Sequence, residues 1–322
     1  MRDLQKKIYS ERMRRITKRI LTVSTPRILA ALAFSCISAH AHASNSSHPQ
    51  LVDFSLQSGP YKISEAVLGG GSYVVEVHLV KNGDGYDLFH QCEINKVCLI
   101  KDAQISTSPQ KSSAPIMKES CRFPYFFTYE NTFYLTCGKS EGSDDMYLYS
   151  SKDQKNWLPA NGGEPIVKQS PGTNWGHIWN VAILPVGNRW HMLAETSISL
   201  DRMDIAYSYV DFGEKMDFTP NQSGVVIKNG GNPELIMKEG KMIALHGLYH
   251  DRGPEDAWYI TMSTASPERP LEWTTRRDKL LIEQKGIHIA DPTYIELNGK
   301  GILGISYNQN RVLMLEGPPI EP

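Results

Sequence analysis

Three carboxylates occupy places in the sequence from which they could cleave a glycosidic bond. Asp291 opens an apolar run in "ADPTYIEL", Glu234 stands in "NPELIM", and Glu195 ends an apolar run in "HMLAETS". Two opposed carboxyl groups hydrolyse such a bond when one is the acid and the other the base or nucleophile. Each also has a structural interpretation. Asp291 fits a cap for backbone amides ahead of Pro292, Glu234 fits an ion pair, and Glu195 fits a solvated strand end.

A second group of side chains has the chemistry that binds sugars. Aromatic faces stack on sugar rings, whereas amide, imidazole and guanidinium groups bond to the hydroxyls. The predicted substrate-binding residues are Arg122, Trp175, His177, Trp179, Asn180, Asn232 and His246. His177 is the most distinctive of them because it lies between two tryptophans. His246 also fits a packed structural role, and Arg122 fits a structural ion pair.

These residues recur at related places in a repeated hairpin pattern. Four segments share a polar or proline-containing opening, an apolar run, a turn rich in Glu, Asn or Gly, and a second apolar run. Their aligned positions are Pro124, Val181, Pro233 and Pro292, so the spacings are 57, 52 and 59 residues. A further strand-like run follows each hairpin, and a fainter copy, "YKISEAVLGGGSYVVEVHLV", precedes them. Repeats of this length and composition predict the blades of a β-propeller.

Five copies predict an all-β protein with five blades. A β-sandwich is the structural alternative, but it does not explain so long a period. The last copy ends after its third strand, so the N-terminal strand of the mature chain, residues 51–57, is expected to close the ring and leave no exposed sheet edge. The first strand of every blade lines the axis and starts on the same face, which gathers the candidates around one funnel. The expected equivalents of Asp291 are Phe123, Asn180 and Asn232, and the expected match of Glu234 in blade one is Glu65.

The blade pattern resembles the five-bladed propeller glycosidases, which include the arabinanase and β-xylosidase, invertase and levansucrase, and mannoside-phosphorylase families. The resemblance covers most of residues 60–316 and rests on "ADPTYIELNGKG", "NPELIMKEGKM", "CRFPYFF" and "SSKDQKNW". It implies that Asp291 is the base or nucleophile and that Glu234 or Glu195 is the general acid. It also implies an oligo- or polysaccharide substrate and no required cofactor, with a calcium ion on the propeller axis as an option. The spacing of the residues themselves predicts no metal ligands.

The leading hypothesis is an exported glycoside hydrolase with a carboxylate acid/base pair in the funnel. A catalytically silent, glycan-binding propeller is one alternative, because Phe123, Asn180 and Asn232 stand where the family pattern has room for a carboxylate. A sugar phosphorylase or transferase is another, and it needs a basic phosphate pocket. The basic residues available to that pocket are Arg122, Arg202 and His177.

The first 43 residues have the composition of a secretory signal peptide. Nine Lys and Arg residues lie within residues 1–27, an apolar stretch covers 28–39, and Ala41-His42-Ala43 follows. This pattern predicts cleavage after Ala43, a single propeller domain over residues 44–322, and a secreted or periplasmic protein. The apolar stretch is too short to span a bilayer. A lipoprotein signal at Cys36 is the weaker alternative, because "AFS" is a poor approach to a lipidated cysteine.

Charge and the missing motifs narrow the function classes. Without the signal segment the chain keeps 25 Lys and Arg residues against 33 Asp and Glu residues, with no basic stripe. The sequence therefore predicts no nucleic-acid partner. It also contains no serine-hydrolase elbow, P-loop or dinucleotide fingerprint.

Four cysteines remain after the predicted cleavage, at positions 92, 98, 121 and 137. An even number in an exported chain predicts disulfides. The first two and the last two each flank a short predicted turn, so the pairs Cys92–Cys98 and Cys121–Cys137 are favoured over the other two connectivities. A zinc site is disfavoured because there is no CxxC motif and no Cys/His zinc spacing.

Overall fold

The computed structural model describes ten stretches of the chain. They are residues 62–66, 75–93, 95–104, 112–139, 144–198, 203–249, 258–276, 281–282, 289–307 and 311–322. One compact unit, Leu51–Pro322, contains all of them. The predicted signal segment and the predicted closing strand, residues 51–57, lie outside the described residues. Within the described stretches, no helix is long and apolar enough to cross a membrane.

The described secondary structure consists of β-strands and two short 3₁₀ helices. The first strand along the chain is β1 (Lys62–Ala66). Blade one contains β2 (Val75–Asn82), β3 (Gly85–Glu93) and β4 (Lys96–Ile100). Blade two contains β5 (Arg122–Tyr129), β6 (Thr132–Gly138) and β7 (Met146–Ser151), with β8 (Leu158–Pro159) and β9 (Pro165–Val167) both paired to β7. Blade three contains β10 (His177–Val186), β11 (Arg189–Ser197), β12 (Asp204–Asp211) and β13 (Val225–Ile227).

The last two blades follow the same order. Blade four contains β14 (Gly230–Lys238), β15 (Lys241–Tyr249), β16 (Trp258–Ser266) and β17 (Arg269–Thr275), with β18 (Leu281–Ile282) paired to β16. Blade five contains β19 (Ile289–Leu297), β20 (Lys300–Tyr307) and β21 (Arg311–Gly317), with β1 at its outer edge. The 3₁₀ helices, Asn161–Gly163 and Thr219–Asn221, lie in the connections after β8 and β12.

The five sheets form a five-bladed β-propeller. Neighbouring strands within each blade are antiparallel and follow the chain outwards. The innermost strands contact one another in ring order, β2 with β5, β5 with β10, β10 with β14, β14 with β19, and β19 with β2. The predicted all-β fold and its five blades are confirmed.

The outer strand of blade five comes from the beginning of the described chain. β1 pairs with β21, so that Lys62 lies opposite Glu316 and Ala66 opposite Val312. Glu65 therefore lies in an outer strand, and the expected match between Glu65 and Glu234 is wrong. The inner strand of blade one is β2, which begins ten residues later along the chain than Glu65.

Short turns hold the inner hairpins in register. The β5–β6 turn is Glu130-Asn131, the β14–β15 turn is Glu239-Gly240, and the β19–β20 turn is Asn298-Gly299. Both residues of each turn have positive φ, between 47° and 74°. Two-residue turns of this kind match the twist of antiparallel strands, and Asn and Gly favour the conformation they need. The turn residues in the repeat therefore fix which side chains reach the axis.

Aromatic side chains pack between neighbouring blades. Phe89 of blade one stacks on Phe126 of blade two with ring centroids 3.9 Å apart. Trp190 of blade three meets Phe127 and Tyr134 of blade two edge-on, at 5.7 and 5.9 Å. Such pairs stabilise a fold by about 0.5–1.5 kcal/mol beyond the area they bury. Side-chain packing therefore contributes to holding neighbouring blades together.

Both predicted disulfides are present in the structure. Cys92 on β3 is bonded to Cys98 on β4, with their Cα atoms 5.7 Å apart. Cys121, immediately before β5, is bonded to Cys137 on β6, with their Cα atoms 4.9 Å apart. Both separations are normal for a disulfide. The second bond ties the hairpin of blade two at the end where Arg122 and Phe123 lie.

Candidate active site

All five inner strands carry the same β-bulge near their first residues. The pairing register shifts by one residue between Val75 and His78, Arg122 and Tyr125, Ile178 and Val181, Gly231 and Glu234, and Ala290 and Thr293. A bulge inserts an extra residue into one strand and re-aims the side chains around it. The same β-bulge, one in each blade, therefore surrounds the funnel.

The first bulge residue has an unusual backbone conformation in four blades. Glu76, Phe123, Asn232 and Asp291 have φ values of 51° or 52°. Asn and Asp tolerate this left-handed region, whereas Phe adopts it rarely. In blade three the corresponding residue is Trp179, which lacks the positive φ. The expected equivalence of Asn180 with Asp291 is therefore off by one residue, because Asn180 takes the place of Pro124, Pro233 and Pro292.

The bulges surround a small cavity on the propeller axis. Its volume is about 10 Å³, which is room for a single water-sized group and not for a sugar ring. The lining residues are Glu76, His78, Pro124, Tyr125, Asn180, Val181, Asn232, Pro233, Asp291 and Pro292. We call these residues the axial floor. Any ligand larger than a water molecule would therefore have to lie outside this cavity.

Asp291 is buried on the axial floor and joins three blades. Its Oδ2 accepts a hydrogen bond from the Glu76 backbone N–H of blade one at 2.8 Å and from Ser306 Oγ at 2.7 Å. Its Oδ1 accepts one from the Asn232 side-chain amide of blade four. Hydrogen-bond donors from blades one, four and five therefore face both oxygens of Asp291. The backbone amide that Asp291 binds belongs to another blade, and its role in a functional site stays a prediction.

Glu195 makes the next link around the ring. Its Oε2 accepts hydrogen bonds from Asn180 Nδ2 at 3.1 Å and from the Asn232 backbone N–H at 2.8 Å. The side chain is almost completely buried at the end of β11. Asn232 thus donates its backbone N–H to blade three and its side chain to Asp291 in blade five. Asn180 and Asn232 therefore form hydrogen bonds with two of the three predicted catalytic carboxylates, Glu195 and Asp291.

Glu234, two residues after Asn232 on β14, has a different environment. It is buried at the floor beside His78, whose Nδ1 is 3.7 Å from Glu234 Oε2, and that oxygen accepts no hydrogen bond from the described residues. Burial raises the pKa of Glu234 well above its ordinary value, and burial lowers the pKa of His78 to about 3. Tyr125 lies edge-on to His78 with ring centroids 5.0 Å apart, and burial and then the Glu234 carboxyl raise its pKa. This environment favours a protonated Glu234 beside a neutral imidazole.

The rim of blades two and three carries the accessible polar groups. Asp144 lies 2.9 Å from His177 Nδ1 and 3.9 Å from the Arg122 guanidinium. The His177 ring is parallel to the Trp179 ring, with centroids 5.9 Å apart, and the Arg122 guanidinium lies 5.1 Å from the centre of the Phe123 ring. The side chains of His177 and Arg122 are 30% and 22% exposed, so both can meet a ligand. We call Arg122, Asp144 and His177 the rim triad; the sequence analysis missed its buried Asp144.

Two predicted binding residues lie in the core of their blades. Trp175 is buried, and its Nε1 donates to the Ser223 carbonyl at 2.7 Å. His246 is fully buried, and its Nε2 lies 2.7 Å from Ser263 Oγ. Burial lowers the pKa of His246 to about 4. Neither residue lines the cavity, and the structural role considered for His246 agrees with these contacts.

Comparison with known proteins supplies solved structures of the same fold. No family profile matches the sequence, and no curated protein matches it. A thermostable family-43 glycoside hydrolase has a TM-score of 0.58 at 14% identity over 80% of this chain and 97% of that chain. The endo-arabinase of Bacteroides thetaiotaomicron VPI-5482 also has a TM-score of 0.58, at 13% identity over 80% and 98% of the two chains. The catalytic domain of Coprinopsis cinerea GH62 alpha-L-arabinofuranosidase has the same score at 10% identity over 80% and 96%.

The chain has the fold of the five-bladed propeller glycosidases. Identities of 10–14% show shared architecture and leave the chemistry to the side chains of the site. Of the predicted catalytic residues, Asp291 lines the axial floor, Glu234 follows the floor residue Pro233, and Glu195 contacts two floor residues. Arg202 lies outside the described residues.

The axial calcium ion implied by the resemblance does not fit the described residues well. They contain no group of three or more His, Cys, Asp or Glu side chains arranged to hold a metal ion. The floor carboxylate Asp291 already accepts from Glu76, Ser306 and Asn232. Oxygen ligands from several residues are what calcium requires. No step of the chemistry below uses a metal.

Proposed function

We propose that the protein is an exported glycoside hydrolase whose acid/base pair is Glu234 and Asp291. The observation that supports this is the contrast between the two groups. Asp291 accepts from several hydrogen-bond donors, whereas no described residue donates to Glu234 Oε2 and burial raises the pKa of Glu234. Pairs of carboxyl groups in opposite environments are how glycosidases assign acid and base.

Glu234 is the general acid in this proposal. A carboxyl group that remains protonated near neutral pH can donate its proton to the leaving-group oxygen. The alternative acid, Glu195, accepts two hydrogen bonds on one oxygen, from Asn180 and Asn232. We therefore assign Glu195 to positioning Asn232, which in turn donates to Asp291.

Asp291 is the base or nucleophile. Its carboxylate lies at the opening of the innermost strand of blade five, and the neighbouring Glu234 strand belongs to blade four. Saccharide recognition falls to the exposed rim triad. Similar folds include an endo-arabinase and an arabinofuranosidase, so arabinose-containing oligosaccharides are the first substrates we propose.

Sugar release by wild type, Glu234→Gln and Asp291→Asn tests the proposal. Arabino-, xylo- and manno-oligosaccharides and aryl glycosides serve as substrates, and Glu296→Gln, an exposed carboxylate of blade five, is the control. Wild type and control should release sugar, and Glu234→Gln should lose about 10²–10⁴-fold in kcat, the usual contribution of a general acid. An aryl glycoside with a good leaving group should lose less, because it needs little protonation. Equal turnover by wild type and Glu234→Gln would assign the acid elsewhere.

A silent glycan-binding propeller is the second candidate, and one observation favours it. Asn232 and Phe123 occupy bulge positions equivalent to that of Asp291, so they supply hydrogen bonding and stacking without an ionisable group. Saccharide-dependent stabilisation against heat, with no sugar released by wild type, would establish this second function.

A further inference from the structure

Asp144 connects the two halves of the rim triad across a blade boundary. It precedes β7 of blade two, and its buried carboxylate contacts His177 of blade three and Arg122 of its own blade. Its backbone N–H donates to Gln169 Oε1 at 3.0 Å. The carboxylate is therefore held from its own backbone and points at both accessible polar side chains.

The contact with Asp144 determines what His177 can offer a ligand. Because the carboxylate accepts a hydrogen bond from Nδ1–H, the neutral ring presents its Nε2 as an acceptor. Outer partners of this kind fix both the tautomer and the orientation of an imidazole. The parallel Trp179 ring, 9° from the plane of His177, limits rotation on its other side.

We propose that Asp144 is a positioning residue that orients His177 and Arg122 in a subsite for a neutral saccharide. This inference rests on the proposed function, because it assumes a sugar at the funnel rim. His177 Nε2 accepts a hydrogen bond from a sugar hydroxyl, and the Arg122 guanidinium donates to ring or hydroxyl oxygens.

The charge of the triad selects against acidic sugars. Asp144 brings a buried negative charge within 3.9 Å of the Arg122 guanidinium and offsets its positive charge. A uronic acid carboxylate at the rim would face Asp144 as well as Arg122, and like charges at close range oppose binding. The ligand class is therefore neutral.

Affinities measured by calorimetry test this assignment in the Glu234→Gln background, which lacks the proposed acid. The probes are arabinotriose, xylotriose and mannotriose, with trigalacturonate as the acidic probe. Asp144→Asn preserves shape but presents an amide that favours the other His177 tautomer. It should weaken binding of the preferred neutral probe about tenfold, as losses of such orienting partners do. Asp211→Asn is the matched control, because Asp211 pairs with Arg189 at the far end of the blade-three hairpin; its affinity should match that of the parent protein.

A double-mutant cycle with His177→Ala separates positioning from a merely structural role. If Asp144 acts partly through His177, Asp144→Asn should cost less affinity in the His177→Ala protein than in its parent, and the loss that remains measures its action through Arg122. In the wild-type background, which keeps Glu234, Asp144→Asn should raise KM and change kcat by less than about twofold. Additive losses, equal affinity of Asp144→Asn and its parent, preference for trigalacturonate, or no neutral probe bound would each overturn the assignment. If the binding changes occur as expected but the wild type releases no sugar, the hydrolase proposal is wrong and the Asp144 subsite is retained.

Discussion

The axial floor and the rim triad use similar residues for different purposes. At the floor, the buried Asp291 and the partly buried Asn232 exchange hydrogen bonds between blades, and the buried Glu195 beside them accepts from the Asn232 backbone. At the rim, His177 and Arg122 reach solvent and share the buried Asp144. The floor therefore holds the ring together, and the rim is available to a ligand.

This difference explains how a strained site is kept stable. Left-handed φ values at Glu76, Asn232 and Asp291 are accompanied by hydrogen bonds between blades. Non-glycine residues in that region cost on the order of 1–3 kcal/mol each, so surrounding contacts must fix them. Glu234, next to the floor residue Pro233, is the exception, because burial raises its pKa and no described residue donates to its Oε2. A raised pKa of this kind is what the proposed general acid requires.

The largest effect on stability is expected from Asp291→Asn. An amide must turn its NH₂ group towards one of the donors that now face Asp291, from Glu76, Ser306 or Asn232. The free energy of unfolding should fall by about 2–4 kcal/mol, the range for losing a charged partner of buried donors. His177→Ala at the rim should cost less than about 1 kcal/mol. Urea denaturation measures both, and equal losses at floor and rim would contradict the division between them.

A smaller effect per pH unit is expected from acid at His78 of the floor. The pKa of His78 is about 3 in the folded protein against an ordinary 6.5, so between these values the unfolded chain binds a proton that the folded chain does not. The His78 contribution to the free energy of unfolding should fall as pH is lowered from 6.5 towards 3, by about 1.4 kcal/mol per pH unit. The raised pKa of Glu234 acts in the opposite sense above its ordinary value of 4.5, so the difference between wild type and His78→Gln isolates the His78 slope. Urea denaturation of wild type and His78→Gln at pH 7, 6, 5 and 4 checks the slope. Parallel curves for the two proteins would contradict it.

The smallest effect is expected at Phe123, the bulge residue closest to the rim triad. Phe123→Asn relieves a left-handed φ of 51° but loses packing against the core. These contributions oppose each other, so the free energy of unfolding should change by less than about 1 kcal/mol. Affinity for the neutral probes should fall if Phe123 supports Arg122. A large loss of stability with unchanged affinity would show that Phe123 supports the fold and does not support ligand binding at the rim triad.

The sequence predicted the blades because the repeat encodes them locally. Pro124, Pro233 and Pro292 mark the bulges, and residues such as Asn298-Gly299 mark the turns. Where the proline is missing, the predicted equivalence was wrong. Blade three has no proline at this place, which displaced Asn180 by one residue. Blade one has neither proline nor Asp at its bulge, so the sequence predicted Glu65 as the match of Glu234, whereas the strand register places His78 at that position.

The contacts across blades could not be predicted from the sequence. Asp144 and His177 are 33 residues apart, and Asp291 and the Glu76 amide are 215 residues apart. Their meeting depends on the angle at which whole blades pack. The contacts of the two tryptophans could not be predicted either. Both are buried, yet Trp175 donates to the Ser223 carbonyl whereas Trp179 stacks on His177 of the rim triad.

The pairing of β1 with β21 also sets the order of events during synthesis. Lys62 and Glu316 lie at opposite ends of the described chain and meet in one sheet. Contacts so distant in sequence form late and slowly. Because β21 follows every other described strand, a nascent chain can form the β1–β21 pair only after blades one to four have been made. A truncation after blade four would leave an unclosed arc of blades, with two exposed faces ready to aggregate.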